Sequence, residues 1–425
     1  MKSQEGQIPP FDFMDLDFFA SQDPHQVWHA LRLHAPVYWH EKQGQAGFWL
    51  VTKHADVILV SHDSKTFVSQ RGVGPPCPSD SIVPANACLR PEAARRALNL
   101  LDPPDHTKMR RIFSSAFTPR AVSRWEPTVR GLGNRVLEQI AHAGSADFVQ
   151  DFAMRVPLAV LGTVMGIPQD DWPLLAKWTA DRAPDYSSDP GRDESEHRMA
   201  SDLALEELSR YLWKLFTMRQ REPREDIISE LVVLKKQGQL TESEVMWFCL
   251  LLVGAGHETT CNALSGGIVA MLEHRDQLRT LSKNPSLLDK AVEEVLRWTS
   301  PIVFFSRFVT RDTMLRGQRI RSGQRVFLVY PSANRDEEVF ECPNRFDISR
   351  EPNDHVALGA GNHFCLGAAL ARLQLRTLMP LVFARFPTID FLGQPQRLRS
   401  NFSAGYSRLP IQYSTQDEER KSRNL

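Results

Sequence analysis

Leu358-Gly359-Ala360-Gly361-Asn362-His363-Phe364-Cys365-Leu366-Gly367 decides how the rest of this chain is read. Three glycines frame a cysteine that has a histidine two positions before it. Glycines at such positions allow tight backbone turns and the close approach of a flat ligand. Leu366, Leu370 and Leu373 follow at spacings of four and three, which predicts a helix beginning just after the cysteine. Backbone N–H groups at that helix N-terminus favour a thiolate. A thiolate held this way suits an iron ligand, and cysteine-ligated haem is built for splitting O–O bonds. The same residues also describe a buried structural cysteine in a glycine-rich turn, so the loop alone leaves both readings open.

With 425 residues, 42% hydrophobic and 24% charged, the chain can bury a large core. Lys+Arg and Asp+Glu each number 51, a balance that points to neither nucleic acid nor an anionic membrane as partner. The six cysteines, at 77, 88, 249, 261, 342 and 365, contain no C-x-x-C pair. That spacing disfavours a disulfide framework, a zinc ribbon and covalently attached c-type haem, and leads us to expect reduced thiols in the cytoplasm. Met1 to Ala20 carries acids and prolines in place of a basic stretch and an apolar run, so no signal peptide is expected. The longest uncharged apolar stretch, Val245 to Gly256, falls short of the ~20 residues a bilayer-spanning helix needs. No membrane anchor is expected either.

The pattern along the chain predicts a mainly helical protein with a smaller β-rich part, an α+β class without alternating βαβ units. Residues 37–60 read as strands, with Val37-Tyr38-Trp39 and Gly47-Phe48-Trp49-Leu50-Val51 as the clearest pieces. Residues 70–90 read as a loop, and the polar stretch Asp181 to Arg198 as a mobile connection. Helical patterns dominate 105–300 and return over 366–386, where Pro380 predicts a kink. The clearest helix starts at Thr241, with Glu244 completing a capping box, and is predicted to run to about His274. Short strands are expected over 302–330, including Arg325 to Tyr330, and again from Leu409 to Tyr413. Residues 1–24 read as an N-terminal extension, 25–413 as a single catalytic domain, and 414–425 as a disordered tail.

Inside the long helix lies Ala255-Gly256-His257-Glu258-Thr259-Thr260. Small residues at Ala255 and Gly256 let a bulky planar cofactor lie against the helix, and Thr259 falls on the same face. An acid beside an alcohol in mid-helix is locally inconsistent, a mark of function or of a solvated face. The zinc motif H-E-x-x-H fails here because Cys261 stands where the second histidine is needed. Elsewhere, Glu294 and Arg297 form an i, i+3 pair upstream of Pro343-Asn344-Arg345-Phe346, and His106 and Arg110 stand one helical turn apart.

Taken together, these segments resemble the cytochrome P-450 superfamily in its soluble bacterial form, over about residues 25 to 413. The cysteine loop is similar to Phe-Gly-x-Gly-x-His-x-Cys-x-Gly at every fixed position except the first, where Leu358 replaces Phe. The helix motif is similar to [Ala/Gly]-Gly-x-[Asp/Glu]-Thr-[Thr/Ser], and Glu294-x-x-Arg297 with Arg345 resembles the family's buried ion network behind the cofactor. The resemblance implies a triangular helical prism around a buried haem b. It implies Cys365 as axial ligand of the iron, with Ala255, Gly256, Gly359, Phe364 and Gly367 against the cofactor. His106, Arg110, Arg307 and His363 would bind its propionates. Thr259 would hydrogen-bond the dioxygen being activated, and Glu258 would bring it protons from solvent. The Leu358 departure bears on haem packing and potential, and leaves ligation intact.

The resemblance also places an apolar substrate above the haem, with Leu100, Leu252, Ala255, Ile302, Val303, Phe304, Phe305 and Phe402 as lining. Phe305 points away if Phe304 points in. A medium-to-large apolar substrate follows, and Tyr330 to Phe340 looks like bacterial members that act on steroids or terpenoids. A macrolide or other secondary metabolite is the alternative. No flavin or iron–sulfur motif is present, so electrons are expected from a ferredoxin and its reductase, docking on Lys108, Arg111, Arg372 and Arg376. The expected enzyme is a monomeric monooxygenase using O2. A non-catalytic haem-thiolate sensor and a non-redox isomerase or dehydratase are the rivals of different class, and the Glu258–Thr259 pair argues against both.

Overall fold

The computed structural model describes residues 8–42, 45–74, 97–181 and 194–415. Most of the expected 70–90 loop, most of the Asp181–Arg198 connection, and all but Ser414 and Thr415 of the tail lie outside the described residues.

Aromatic and β-branched residues, which suit a pleated half-buried surface, form a five-stranded sheet. Its strands are β1 (Val37–Lys42), β2 (Gln45–Val51), β3 (Phe67–Val68), β4 (Phe304–Val309) and β5 (Arg325–Val329), in the order β1-β2-β5-β4-β3. β2 and β5 run parallel and the other pairs antiparallel. Side chains alternate between the two faces. On one face Phe304, Phe327 and Phe48 stack, with centroids 4.2 and 4.1 Å apart. Phe13, Phe18, Phe19 and Trp28 close over that stack from helices α1 (Leu16–Ser21) and α2 (His25–His34) and the turn before them. The stretch expected as an N-terminal extension, residues 1–24, thus supplies part of a core, with Phe13 fully buried and Phe18 and Phe19 beside it.

The opposite face carries Trp49, Val51, Val326 and Leu328 and packs against α3 (His54–His62). This corrects the expectation of strands throughout 37–60. Val57 and Val60 are buried three residues apart while Leu59 is exposed, a helical period rather than a period of two.

The larger part is helical, as expected for 105–300 and 366–386. It includes α4 (Asp105–Ser114), α5 (Glu126–Ile140), α6 (Arg155–Met165), α7 (Glu194–Arg221), α8 (Glu242–Gly256), α9 (Glu258–Glu273), α10 (Leu288–Thr299) and α11 (Ala368–Arg385). Thr241 caps α8 through the reciprocal Glu244 box. The helix expected to run unbroken to His274 is interrupted at His257, whose ψ is −67°. Three local causes are visible. Gly254 and Gly256 are poor helix formers, the Thr259 hydroxyl donates to the Ala255 carbonyl at 2.9 Å, and the buried His257 ring donates to the Met154 carbonyl at 2.9 Å. α9 then runs through the centre of the core, where a Cβ on Gly266 would lie 2.6 Å from Thr299 and one on Gly267 2.9 Å from Val295. Close packing of α9 on α10 therefore requires both glycines. Pro380 does not stop α11, which continues to Arg385.

Behind this helical core lies a network in which the sequence reading named the wrong arginine. Arg297 pairs with Glu294 through two bonds of 2.7 Å, and both side chains are fully buried. The second guanidinium on Glu294 belongs to Arg350, at 3.1 Å. Arg345 contributes only its carbonyl, which accepts from Arg297 and Arg350, while its exposed side chain lies 3.6 Å from Asp347. Asn353 and the Asp347 amide supply Glu294 with further donors.

Candidate active site

Gly359 and Gly361 carry φ of 75° and 64°, the left-handed region where a side chain is strained. At Gly361 a Cβ would also fall 2.4 Å from the Ser61 carbonyl, so the loop lies flat on the end of α3. The Cys365 amide donates back to the Leu358 carbonyl at 2.8 Å, and α11 begins three residues after the sulfur. Burial pushes the Cys365 thiol up, against the Gly367 amide and the Arg110 and Arg372 guanidiniums, which favour the thiolate. A coordinated cation reverses that balance, because a metal-bound thiol is deprotonated outright. Arg372 is itself fixed by Glu293 through two bonds of 2.7 Å. Glu293 also meets His355 at 3.2 Å, and although burial opposes it, these partners hold its carboxyl down at about 2.

Four bases from three parts of the chain converge near this loop. His106 and Arg110 come one turn apart from α4, Arg307 from β4, and His363 from the cysteine loop. The His106 and His363 rings lie 4.3 Å apart. Burial, with Arg110 and Arg307 close by, pushes His106 down to about 4. The same effects, with His106 added, push His363 down to about 2. The Ser69 hydroxyl reaches His363 Nε2 at 3.1 Å, and Arg307 is buried with one nitrogen on the Ser306 carbonyl at 2.8 Å. Both ring nitrogens of the buried His106 lack a hydrogen-bond partner. Buried polar groups of this kind are normally satisfied, and crowded cations with an orphaned imidazole call for an anion. Asp102 is near enough to Arg307 to favour its charge, but it is engaged by the Ser69 and Gln70 amides.

On the α8–α9 side, Gly254 and Ala255 are exposed between buried Val253 and His257. Glu258 accepts a hydrogen bond from the Ser403 hydroxyl, a partner that the sequence reading did not name. Of the residues expected to line a substrate pocket, Leu100 is buried in the main helical core and Leu252 packs against it, partly exposed. Ile302 and Phe305 pack against the sheet core on the face that also carries Tyr330. Phe402 meets both Phe304 and Phe305 edge-on at 5.7 Å. Val303 and Phe304 are corrections. They are 3% and 0% exposed and belong to the aromatic core on the far face of the sheet. Strand alternation puts Phe305 and Arg307 on the face opposite Phe304.

The expected basic surface is also altered. Arg372 is neutralised by Glu293, and Arg376 lies 3.5 Å from Asp289. No motif of short range announced Glu293, Arg350, Ser69 or Ser403, because each reaches its partner across at least 56 residues.

A thiol on a flat glycine loop, a wall of Gly254 and Ala255, and a buried set of bases awaiting carboxylates fit a haem with its two propionates. Residues 175–413 match the family model described as "Cytochrome P450". A steroid C26-monooxygenase from Rhodococcus jostii is 34% identical over 413 residues, covering 95% of this chain and 85% of the relative.

The chain belongs to the cytochrome P450 family.

Two solved P450 structures extend the likeness to the fold. CYP109E1 from Bacillus megaterium in complex with testosterone has a TM-score of 0.82 at 30% identity, covering 94% of this chain and 99% of that one. The bacillaene polyketide synthase P450 PksS from Bacillus subtilis has a TM-score of 0.84 at 30% identity, covering 96% and 100%. As a P450 this chain is a monooxygenase whose cofactor is haem b. No helix among the described residues is long and apolar enough to cross a membrane.

Proposed function

We propose that this P450 hydroxylates a steroid that still carries its side chain. One oxygen atom of O2 enters a C–H bond and the other leaves as water, consuming two electrons and two protons. The likeness over 413 residues to a steroid C26-monooxygenase and the apolar character of Leu100, Leu252, Ile302, Phe305 and Phe402 support the substrate class. The observation that carries the cofactor chemistry is the base cluster around the orphaned His106 beside the Cys365 loop.

In this reading Cys365 Sγ would hold the haem iron, and His106, Arg110, Arg307 and His363 would hold the propionates. Ala255, Gly256, Gly359, Phe364 and Gly367 give the flat cofactor its walls. Haem, when bound, supplies the centre that takes up electrons and dioxygen. Thr259 offers its hydroxyl toward that centre, and Glu258 passes solvent protons to it. Electrons come from an external ferredoxin. A cleft of about 700 Å³ beside Cys365, whose lining mixes Arg110, Lys290, Arg372 and Arg376 with Asp289 and Glu293, is the docking place in this reading.

Two measurements test this. Reduced protein with CO is expected to show the red-shifted Soret band of thiolate-bound iron, and a histidine-type band ends the assignment. Titration with cholest-4-en-3-one, testosterone, palmitate and a macrolide is expected to shift the haem spin state most strongly with the first. A shift by the macrolide alone replaces the steroid reading with the polyketide tailoring that the likeness to PksS supports.

A further inference from the structure

We propose that Ser403 positions the Glu258 carboxylate and ties it to the loop that contacts substrate, so that proton delivery responds to occupancy of the pocket. This rests on Glu258 as the acid of the oxygen-activating pair. Ser403 sits in a turn, Ser400 to Gly405, whose backbone is held from several sides. The Ser400 hydroxyl accepts the amides of Phe402 and Ser403 at 3.1 and 3.0 Å. The Phe402 carbonyl accepts the Val303 amide at 2.8 Å, the Ala404 amide donates to the Pro301 carbonyl at 3.0 Å, and Ser403 bridges Ile302. A Cβ on Gly405 would fall 2.2 Å from Asn262 Oδ1, so this backbone presses on α9 one turn beyond Glu258.

The turn therefore carries two neighbouring side chains with different tasks. Phe402 meets Phe305 edge-on at 5.7 Å, on the apolar side. Ser403, the next residue, is 4% exposed and gives its hydroxyl proton to Glu258 Oε1. A backbone fixed at so many points moves as a unit. A ligand that packs against Phe402 steadies the Ser403 hydroxyl, and so its bond to Glu258, with it. While the bond is made, it favours the charged carboxylate, since a donor to the ionised form stabilises that form. Without the bond, Glu258 takes a proton more readily and is no longer held where it can serve Thr259. The Thr259 hydroxyl rests on the Ala255 carbonyl, at 2.9 Å, in the gap between α8 and α9. Ser403 is thus a positioning residue, acting through Glu258.

The test uses the holoenzyme with a ferredoxin, its reductase and NADPH, and cholest-4-en-3-one as probe. Ser403→Ala is expected to lower product formed per NADPH roughly tenfold, the size of one hydrogen bond to a charged group, with peroxide rising in compensation. The spin-shift Kd for the probe is expected to stay near the native value. Infrared difference spectra, assigned with Glu258→Gln, are expected to show the Glu258 carboxyl band displaced in Ser403→Ala and restored in Ser403→Thr. Ser403→Cys keeps the volume of the turn with a weaker donor, and an intermediate effect there supports the proposal even if the alanine variant folds poorly. Native coupling and an unmoved carboxyl band in Ser403→Ala and Ser403→Cys, with Glu258→Gln uncoupled, overturn the role of Ser403 alone. A Glu258→Gln enzyme that stays coupled overturns the acid assignment and the proposal with it.

Discussion

Arg350 Nε meets Glu294 Oε2 at 3.1 Å where water is excluded, and Arg345, five residues earlier, sends only its carbonyl into the same network. The two arginines therefore differ sharply in what their side chains do. Arg350→Ala leaves Glu294 buried with one cation fewer, a change that costs about 3–5 kcal/mol. Arg345→Ala keeps the carbonyl and removes an exposed side chain, so it stays within about 0.5 kcal/mol of native. Guanidinium unfolding of the holoenzyme, followed by the CO-difference band, separates them. Equal destabilisation by both substitutions contradicts the assignment.

His106 and His363 set a pH dependence for the haem-free protein. Their folded pKa values, about 4 and about 2, lie below the ordinary histidine value of about 6.5. Below that value the unfolded chain binds protons that the folded chain refuses, so stability falls as pH drops from about 6.5 toward 4. Each histidine contributes a slope of up to about 1.4 kcal/mol per pH unit. Urea midpoints of apoprotein at pH 7 and pH 5 measure the loss. His106→Asn is expected to flatten the slope, and an unchanged slope would falsify the burial of a neutral ring.

The neighbours Phe304 and Phe305 are expected to part company on mutation. Phe304→Ala opens the aromatic core and costs about 3–5 kcal/mol of stability. Phe305→Ala removes apolar surface from the pocket face and weakens steroid binding roughly tenfold, the lower end of what a buried Phe contributes. Thermal unfolding and spin-shift titration give the two readouts.

Thr259→Ala is expected to divert reducing equivalents to peroxide while leaving the reduced-CO spectrum intact. The loss falls in the range of about 10²–10⁴ that a positioned proton-transfer group supplies. Product counted against NADPH consumed checks this, and undiminished coupling removes Thr259 from proton delivery.

What could be read from the chain was what neighbours along it determine. The Cys365 loop, the His106–Arg110 turn, the Thr241 cap and the Glu294–Arg297 pair each depend on neighbours within one stretch of ten residues or fewer. Parity along a strand told that Phe304 and Phe305 face apart, but which faces the pocket depended on Phe13 and Phe48, hundreds of residues away. Arg350 and Arg345 both lie within reach of Glu294, and only the folded loop decides between them. Ser403 lies 145 residues from Glu258 and belongs to no pattern. The break at His257 was foreshadowed by Gly254 and Gly256, but the partner that fixes it, the Met154 carbonyl, comes from another element about a hundred residues away.

That break has a consequence for how the interior opens. The first helical bond of α9 runs from the Cys261 amide to the His257 carbonyl, at 3.1 Å. A helix start leaves its leading amides without helical acceptors. The amides of Thr259 and Thr260 thus stand outside the α9 ladder, next to the buried Cys261. Hydrogen exchange is expected to divide the protected core into two blocks, one on each side of a fast-exchanging seam. Local opening there needs no unfolding of either helix, so protons can enter the centre of the protein while its scaffold stays closed.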